Sequence, residues 1–248
     1  MSTIYILWLR QLKRYWRSKP RIIGSLGQPI LFLLALGFGM GPMFAKAGGG
    51  SYIDFLAPGV MAQAIVFMAI FSGVELIWDR QFGFLKETLV APVSRLNIII
   101  GRILGGSTIA TLQGMIVLLL TLLIGFRPTN FLALPMAVVV MFLISLLYTA
   151  LGTAIAANLK DFHGFQLIMN FLVMPSFFLS GALFPIQNAP ASLQLISQVN
   201  PLTYGVDALR AVLVGTAHFG LAQDIFILTV IAAGLLIIGS WLFSRIQV

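Results

Sequence analysis

The run Gly101-Arg102-Ile103-Leu104-Gly105-Gly106-Ser107-Thr108 has the outline of a phosphate-binding loop. A Walker loop, however, uses a lysine after its glycines to reach the phosphates. No lysine stands in this run, which lies inside a long apolar stretch. Gly101 and Gly105 form G-x-x-x-G, a face suited to close helix packing. Gly37-Phe38-Gly39-Met40-Gly41 is likewise read as close packing or a helix end. Glu75 and Asp79 stand four apart, on one face of a helix. Such a pair could hold a metal or a proton, but no histidine accompanies it, and a solvated helix end is the plainer reading. His163 and His218 fall at or near loops, and neither H-E-x-x-H nor G-x-S-x-G occurs. The absence of cysteine excludes disulfides, Cys-ligated zinc, iron–sulfur clusters and a thiol nucleophile. The residues therefore offer no catalytic constellation, no metal site and no nucleotide site, and no cofactor is expected on this chain.

The elements that carry these residues are set by composition. Of 248 residues, 59% are hydrophobic and 9% charged, where a soluble domain has about 45–50% and about 25%. The mean hydropathy is +1.01. So few charges cannot make a polar skin for this length, and the chain reads as an all-α integral membrane protein. Six stretches are long and apolar enough to span: 22–42, 56–77, 98–124, 134–157, 165–184 and 222–243. They fill a single transmembrane domain, 1–248.

Residues 1–21 form a separate signal. Arg10, Lys13, Arg14 and Arg17 share one helix face, while Tyr5, Trp8, Leu12, Tyr15 and Trp16 lie on the other. That pattern predicts an amphipathic helix in the membrane plane, its basic face on lipid headgroups. A signal peptide would place charge first, but Ile4–Leu9 precedes it here. Net charge is +8. Inner loops of membrane proteins collect Lys and Arg, so nucleic acid is not the expected partner. With the N-terminus inside, inner regions hold the six bases of Arg10–Arg21 plus Arg80, Lys86, Arg95, Arg102, Lys160 and Arg245. The outer regions hold Lys46, Arg127 and Arg210. Twelve against three predicts both termini in the cytoplasm and an even number of spans.

Two connecting segments stand out. Residues 78–97 carry Phe82, Leu85 and Leu89 as an apolar stripe, with Arg80, Lys86 and Glu87 exposed and Pro92 stopping the helix. A short amphipathic helix on the inner face suits a soluble partner or the headgroup layer. Residues 184–221 carry Pro185, Pro190 and Pro201 but are too apolar for a solvated loop. They predict two short helices, either dipping back toward the membrane or lying on its outer surface.

Three motifs bear a family resemblance. Tyr52-Ile53-Asp54-Phe55-Leu56-Ala57-Pro58-Gly59 opens span two. The inner run from Asp79-Arg80-Gln81-Phe82-Gly83 through Lys86-Glu87 to Pro92 and Arg95 is followed by Gly101-Arg102. Phe184-Pro185 leads through Asn200-Pro201-Leu202-Thr203-Tyr204 to Asp207-Ala208-Leu209-Arg210. In order and spacing these resemble type-two ATP-binding-cassette exporter permeases, drug-resistance and antibiotic-export permeases above all. Asp79 stands where many relatives have glutamate, and Lys86 where they are often acidic or polar. The resemblance implies a permease paired with a second copy or close relative. Two separate ATP-binding-cassette ATPase subunits, holding ATP and Mg, would drive it. Docking is expected through the N-terminal helix, with Arg14 and Arg17, and through Asp79, Arg80, Gly83, Lys86, Glu87 and Pro92. The family also implies a cargo path near spans two and five, capped outside by re-entrant helices with Pro201 and Tyr204 at the gate.

The residues themselves fill in that path. Span two offers Met61, Gln63, Phe67 and Phe71; span five offers Asn170, Met174, Phe177 and Phe178. Met and Phe make an adaptable apolar lining, although each position is equally readable as core or lipid-facing packing. Pro175, near the middle of span five, predicts a kink and a flexing point. The expected cargo is a hydrophobic or amphipathic compound leaving the inner membrane of a prokaryote. Export of a polysaccharide or lipid-linked glycan is the alternative, and a membrane-embedded lipid-modifying enzyme lacks the polar residues it would need.

Overall fold

The computed structural model describes residues 2–46, 50–84, 90, 93–159 and 161–244, and these contain helices and no strand. The first helix, α1 (Thr3–Arg17), begins at Ser2, whose hydroxyl accepts the Tyr5 N–H. Arg14 and Arg17 in its last turn complement the negative end of the helix dipole. One residue later α2 (Lys19–Lys46) begins, followed by α3 (Tyr52–Gln81), α4 (Arg95–Ile124) and α5 (Leu134–Asn158). The hydroxyls of Ser51 and Ser94 cap α3 and α4. Next come α6 (Phe162–Ile168), a π turn (Met169–Val173) and α7 (Met174–Phe178), then α8 (Ala191–Val199), α9 (Pro201–Val214) and α10 (Leu221–Ser244).

Among the described residues, five helices are long and apolar enough to cross a membrane: Lys19–Lys46, Tyr52–Gln81, Arg95–Ile124, Phe131–Asn158 and Leu221–Phe243. They contain the first four and the last of the six expected spans. The expected fifth, 165–184, differs. Its helical part, Phe162–Phe178, is shorter and is interrupted by the π turn. Pro175 has no N–H to bond to the Phe171 carbonyl, and just upstream the Met174 N–H reaches back five residues to Met169. The helix ends at Phe178, and the chain turns at Gly181, whose φ of 76° suits glycine alone. Two short helices, α8 and α9, do occupy the 184–221 segment.

Helix α3 is the centre of the bundle, buried over most of its length, whereas α2 and α10 are largely exposed. Its close neighbours approach at glycines. Gly73 and Gly152 bring α3 and α5 backbone to backbone, and Gly106 seats α4 against Ser72 and Thr149. The G-x-x-x-G of α4 is a packing face, and its partner is α1. A Cβ at Gly101 would lie 3.0 Å from Leu7 Cβ, and one at Gly105 2.9 Å from Gln11 Cβ. Helix α1 accordingly buries the Leu7, Gln11, Tyr15 stripe at i, i+4, i+8, and exposes Trp16. Trp8 Nε1 donates to Thr108 Oγ1 at 3.0 Å, and the Tyr15 hydroxyl to Gln113 Oε1 at 3.1 Å. Burial raises the Tyr15 pKa, with nearby Arg21 acting against it.

Candidate functional site

Between α2 and α3 lies a cavity of about 660 Å³, within the range of small-molecule sites. Two helical faces at i, i+3, i+4, i+7 spacing build it. Helix α2 and the α1–α2 junction give Ser18, Arg21, Gly24, Ser25 and Gln28; α3 gives Gln63, Ala64, Phe67, Met68, Phe71, Val74, Glu75 and Trp78. Small residues on α2 make the space, and large apolar ones on α3 wall it. Arg14, from α1, closes one end.

That end is an ionic network. Arg21 Nη1 donates to Glu75 Oε1 at 2.6 Å, and Arg102 donates to Asp79. Arg14 Nη1 stands between the two carboxylates, 3.9 Å from Glu75 and 3.7 Å from Asp79. Four helices, α1 to α4, therefore meet on two acidic residues of α3. Glu75 and Asp79 are 4% and 5% exposed, which corrects the reading of a solvated helix end. The i, i+4 spacing faces inward because arginines from three other helices supply the compensating charge that burial requires.

The other expected docking residues divide. Arg80 does not stay exposed: it is part-buried and donates to the carbonyls of Leu159 at 2.9 Å and Ala157 at 3.1 Å. It thereby satisfies acceptors that the C-terminal end of α5 leaves open. Gly83, with φ 81°, follows the end of α3, and Arg17 is exposed on α1. Lys86, Glu87 and Pro92 lie outside the described residues.

Of the expected path residues, the structure gathers Gln63, Phe67 and Phe71 at the cavity. Met61, fully buried in the core, does not line it. Asn170, Met174, Phe177 and Phe178 are elsewhere. Phe177 is buried edge-on to Phe32 of α2, at 5.9 Å between rings, while Asn170 and Phe178 are exposed. Pro175 borders a separate apolar groove with Phe171, Leu195 and Val199.

At the opposite end of the bundle, Pro201 is the first residue of α9 and Asn200 its cap. Asn200 Nδ2 also donates to the Ser176 carbonyl at 2.6 Å. The Tyr204 hydroxyl donates to the Gln198 carbonyl at 2.6 Å, and its ring lies 5.1 Å from Phe219. Helix α9 penetrates the bundle: a Cβ at Gly205 would lie 2.9 Å from Ile144 Cγ1, about 15 Å along α5 from its first residue. Arg210, one of the outer-region bases, is part-buried. It donates to the carbonyls of Phe55 and Gly181 and stacks on the Phe55 ring at 4.1 Å. Burial pushes its pKa down to about 10, with Asp207 acting against the shift, so it remains charged at neutral pH.

Sequence reasoning missed Arg21 and Arg102 as partners of the α3 acids, and Gln28 and Trp78 as cavity residues. The i, i+3, i+4 spacing of Arg21, Gly24, Ser25 and Gln28 was available as a signal for the α2 face.

The chain was compared with known proteins. Residues 2–214 match the model of the ABC-2 type transporter family. Nodulation protein J of Rhizobium leguminosarum bv. trifolii is 28% identical over 223 residues, covering 89% of this chain and 82% of the relative. Nodulation protein J of Rhizobium leguminosarum bv. viciae is 29% identical over 196 residues, covering 78% and 75%. The transport permease ycf38 of Pyropia yezoensis is 30% identical over 216 residues, covering 85% and 73%. With the helical bundle, the membrane-length spans and a family match across most of its length, this chain belongs to the ABC-2 type transporters, as a membrane permease subunit.

Proposed function

We propose that this permease exports an amphipathic compound through the α2–α3 cavity, driven by ATP hydrolysis on two separate ATP-binding-cassette subunits. The observation that carries the reading is the junction of cavity and ionic network: Arg14, Arg21 and Glu75 belong to both. A push on α1 reaches the cavity wall through the charged contacts of Arg14 with Glu75 and Asp79. Arg14, Arg17, Gly83, Lys86, Glu87 and Pro92 form the docking side in this reading, and Asp79 and Arg80 tie it to the bundle. ATP and Mg belong to the partner subunits. A second permease copy completes the path and packs on the exposed apolar face that carries Phe171 and Phe178. The break at the π turn and Pro175 lets that segment flex, and Pro201 and Tyr204 brace the outer gate.

The α1 end faces the cytoplasm of a prokaryotic cell, the chain spans the inner membrane six times with Phe162–Phe178 as the short fifth crossing, and both termini are inside. The basic bias supports this orientation. The depth of α9 beside the middle of α5 supports re-entry from the outer side. Because the chain has no cysteine, single cysteines report topology directly. Those replacing Ser51 and Gln187 should react with an impermeant maleimide in intact cells, and one replacing Gln81 should not; labelling at Gln81 from outside overturns the orientation.

Glycan export remains the second reading, because Gln28, Gln63 and Trp78 give the cavity amide and stacking groups suited to sugars. The central test of the proposal is purification of the tagged chain from its native membrane in mild detergent. An ATP-binding-cassette ATPase should co-purify, with vanadate-sensitive activity. A chain that purifies intact and alone, with no such activity, contradicts the reading.

A further inference from the structure

The charged end of the cavity carries an excess of cation. Arg14 and Arg21 line the cavity against one carboxylate, Glu75, leaving one positive charge in excess. Arg21 Nη1 is used by Glu75, but among the described residues Nη2 meets only the thioether sulfur of Met68, at 3.8 Å. Sulfur is a weak acceptor, and a guanidinium matches a phosphate, sulfate or carboxylate far better. Phe67 and Phe71 of α3 wall the same cavity.

We propose that the cavity selects an amphiphile with an anionic head at Arg21 Nη2 and an apolar body on Phe67 and Phe71. This rests on the cavity being the cargo path and names the class of cargo. It makes Arg21 the residue that selects the head.

The full chain in phosphatidylcholine nanodiscs can be titrated with dodecyl phosphate and dodecyltrimethylammonium. The phosphate should bind at least about tenfold more tightly than the cation, the gain expected of a charge-assisted contact. Arg21→Gln should erase that preference, while Arg21→Lys should keep most of it. Gly24→Leu serves as a plug that does not disturb the fold, since a Cβ there meets nothing within 4 Å; it should abolish binding of both. Equal affinity for anionic and cationic heads, or full binding by Gly24→Leu, overturns the proposal. Discs of phosphatidylglycerol separate two sources of the anion. Unchanged dodecyl phosphate affinity supports a transported amphiphile, whereas competition assigns the site to a lipid headgroup and overturns the cargo assignment. No ATPase subunit is needed for these titrations, so their failure beside a co-purifying ATPase would sink the selectivity alone.

Discussion

The two ends of the bundle hold their polar residues in different ways. At the α1 end, Arg14, Arg21 and Arg102 meet Glu75 and Asp79, side chain to side chain, across four helices. Beside them Arg80 bonds to backbone, and at the opposite end the buried and part-buried groups Asp207, Arg210 and Tyr52 all do so. Asp207 accepts the N–H groups of His218 and Phe219, Arg210 donates to the Phe55 and Gly181 carbonyls, and the Tyr52 hydroxyl donates to the Leu183 carbonyl. Ion pairs between side chains can exchange partners while every helix keeps its own hydrogen bonds, and Arg14, between two acids, is already set to do so. Bonds to backbone fix a fold that has no regular ladder of its own. In the proposed function the α1 end transmits movement, and the α9 end holds an irregular chain still.

The largest effect should come from breaking the most buried pair. Asp79→Ala leaves Arg102 enclosed without its carboxylate, which costs about 3–5 kcal/mol. Thermal unfolding in nanodiscs should show that loss, and the double variant Asp79→Leu with Arg102→Met should recover most of it. If the single variant unfolds like the parent, the network is not a structural junction. A smaller effect is expected at the other end. Asp207→Ala removes a charged acceptor from two backbone donors, worth about 1.5–3 kcal/mol. Hydrogen exchange should quicken at the amides of His218 and Phe219 and leave α1 unchanged. Equal quickening at both ends would erase the contrast between them.

The contrast also explains what could be read in the sequence. The positions of five helices followed from hydropathy, since α2 to α5 and α10 each bury or present apolar faces over a membrane's width. Gly101 and Gly105 were legible as a packing face, because four-residue spacing has one meaning on a helix. The partners of Glu75 and Asp79 were not legible. Arg21 is 54 positions from Glu75, and Arg102 is 23 from Asp79; a charge pattern along one helix cannot show arginines arriving from others. The expected fifth span runs too far, to residue 184, because hydropathy measures side chains, whereas the helix is broken by the π turn before Pro175 and ends at Phe178, ahead of the turn at Gly181. Arg210 was counted as a loop charge for a related reason: its burial depends on α9 reaching inward beside α5.

One measurement bears most directly on a cargo cavity that the ATP cycle moves through the ionic network. Spin labels at cysteines replacing Gly24 on α2 and Phe71 on α3, both bordering the cavity, report its width in a chain with no native cysteine. In the complex with its ATPase subunit, the interlabel distance should shift between the nucleotide-free and ATP–vanadate-trapped states. The shift should disappear when Arg14 and Arg21 are both replaced by glutamine in a complex that still hydrolyses ATP. A distance distribution unchanged by trapping in the parent complex would contradict the coupling.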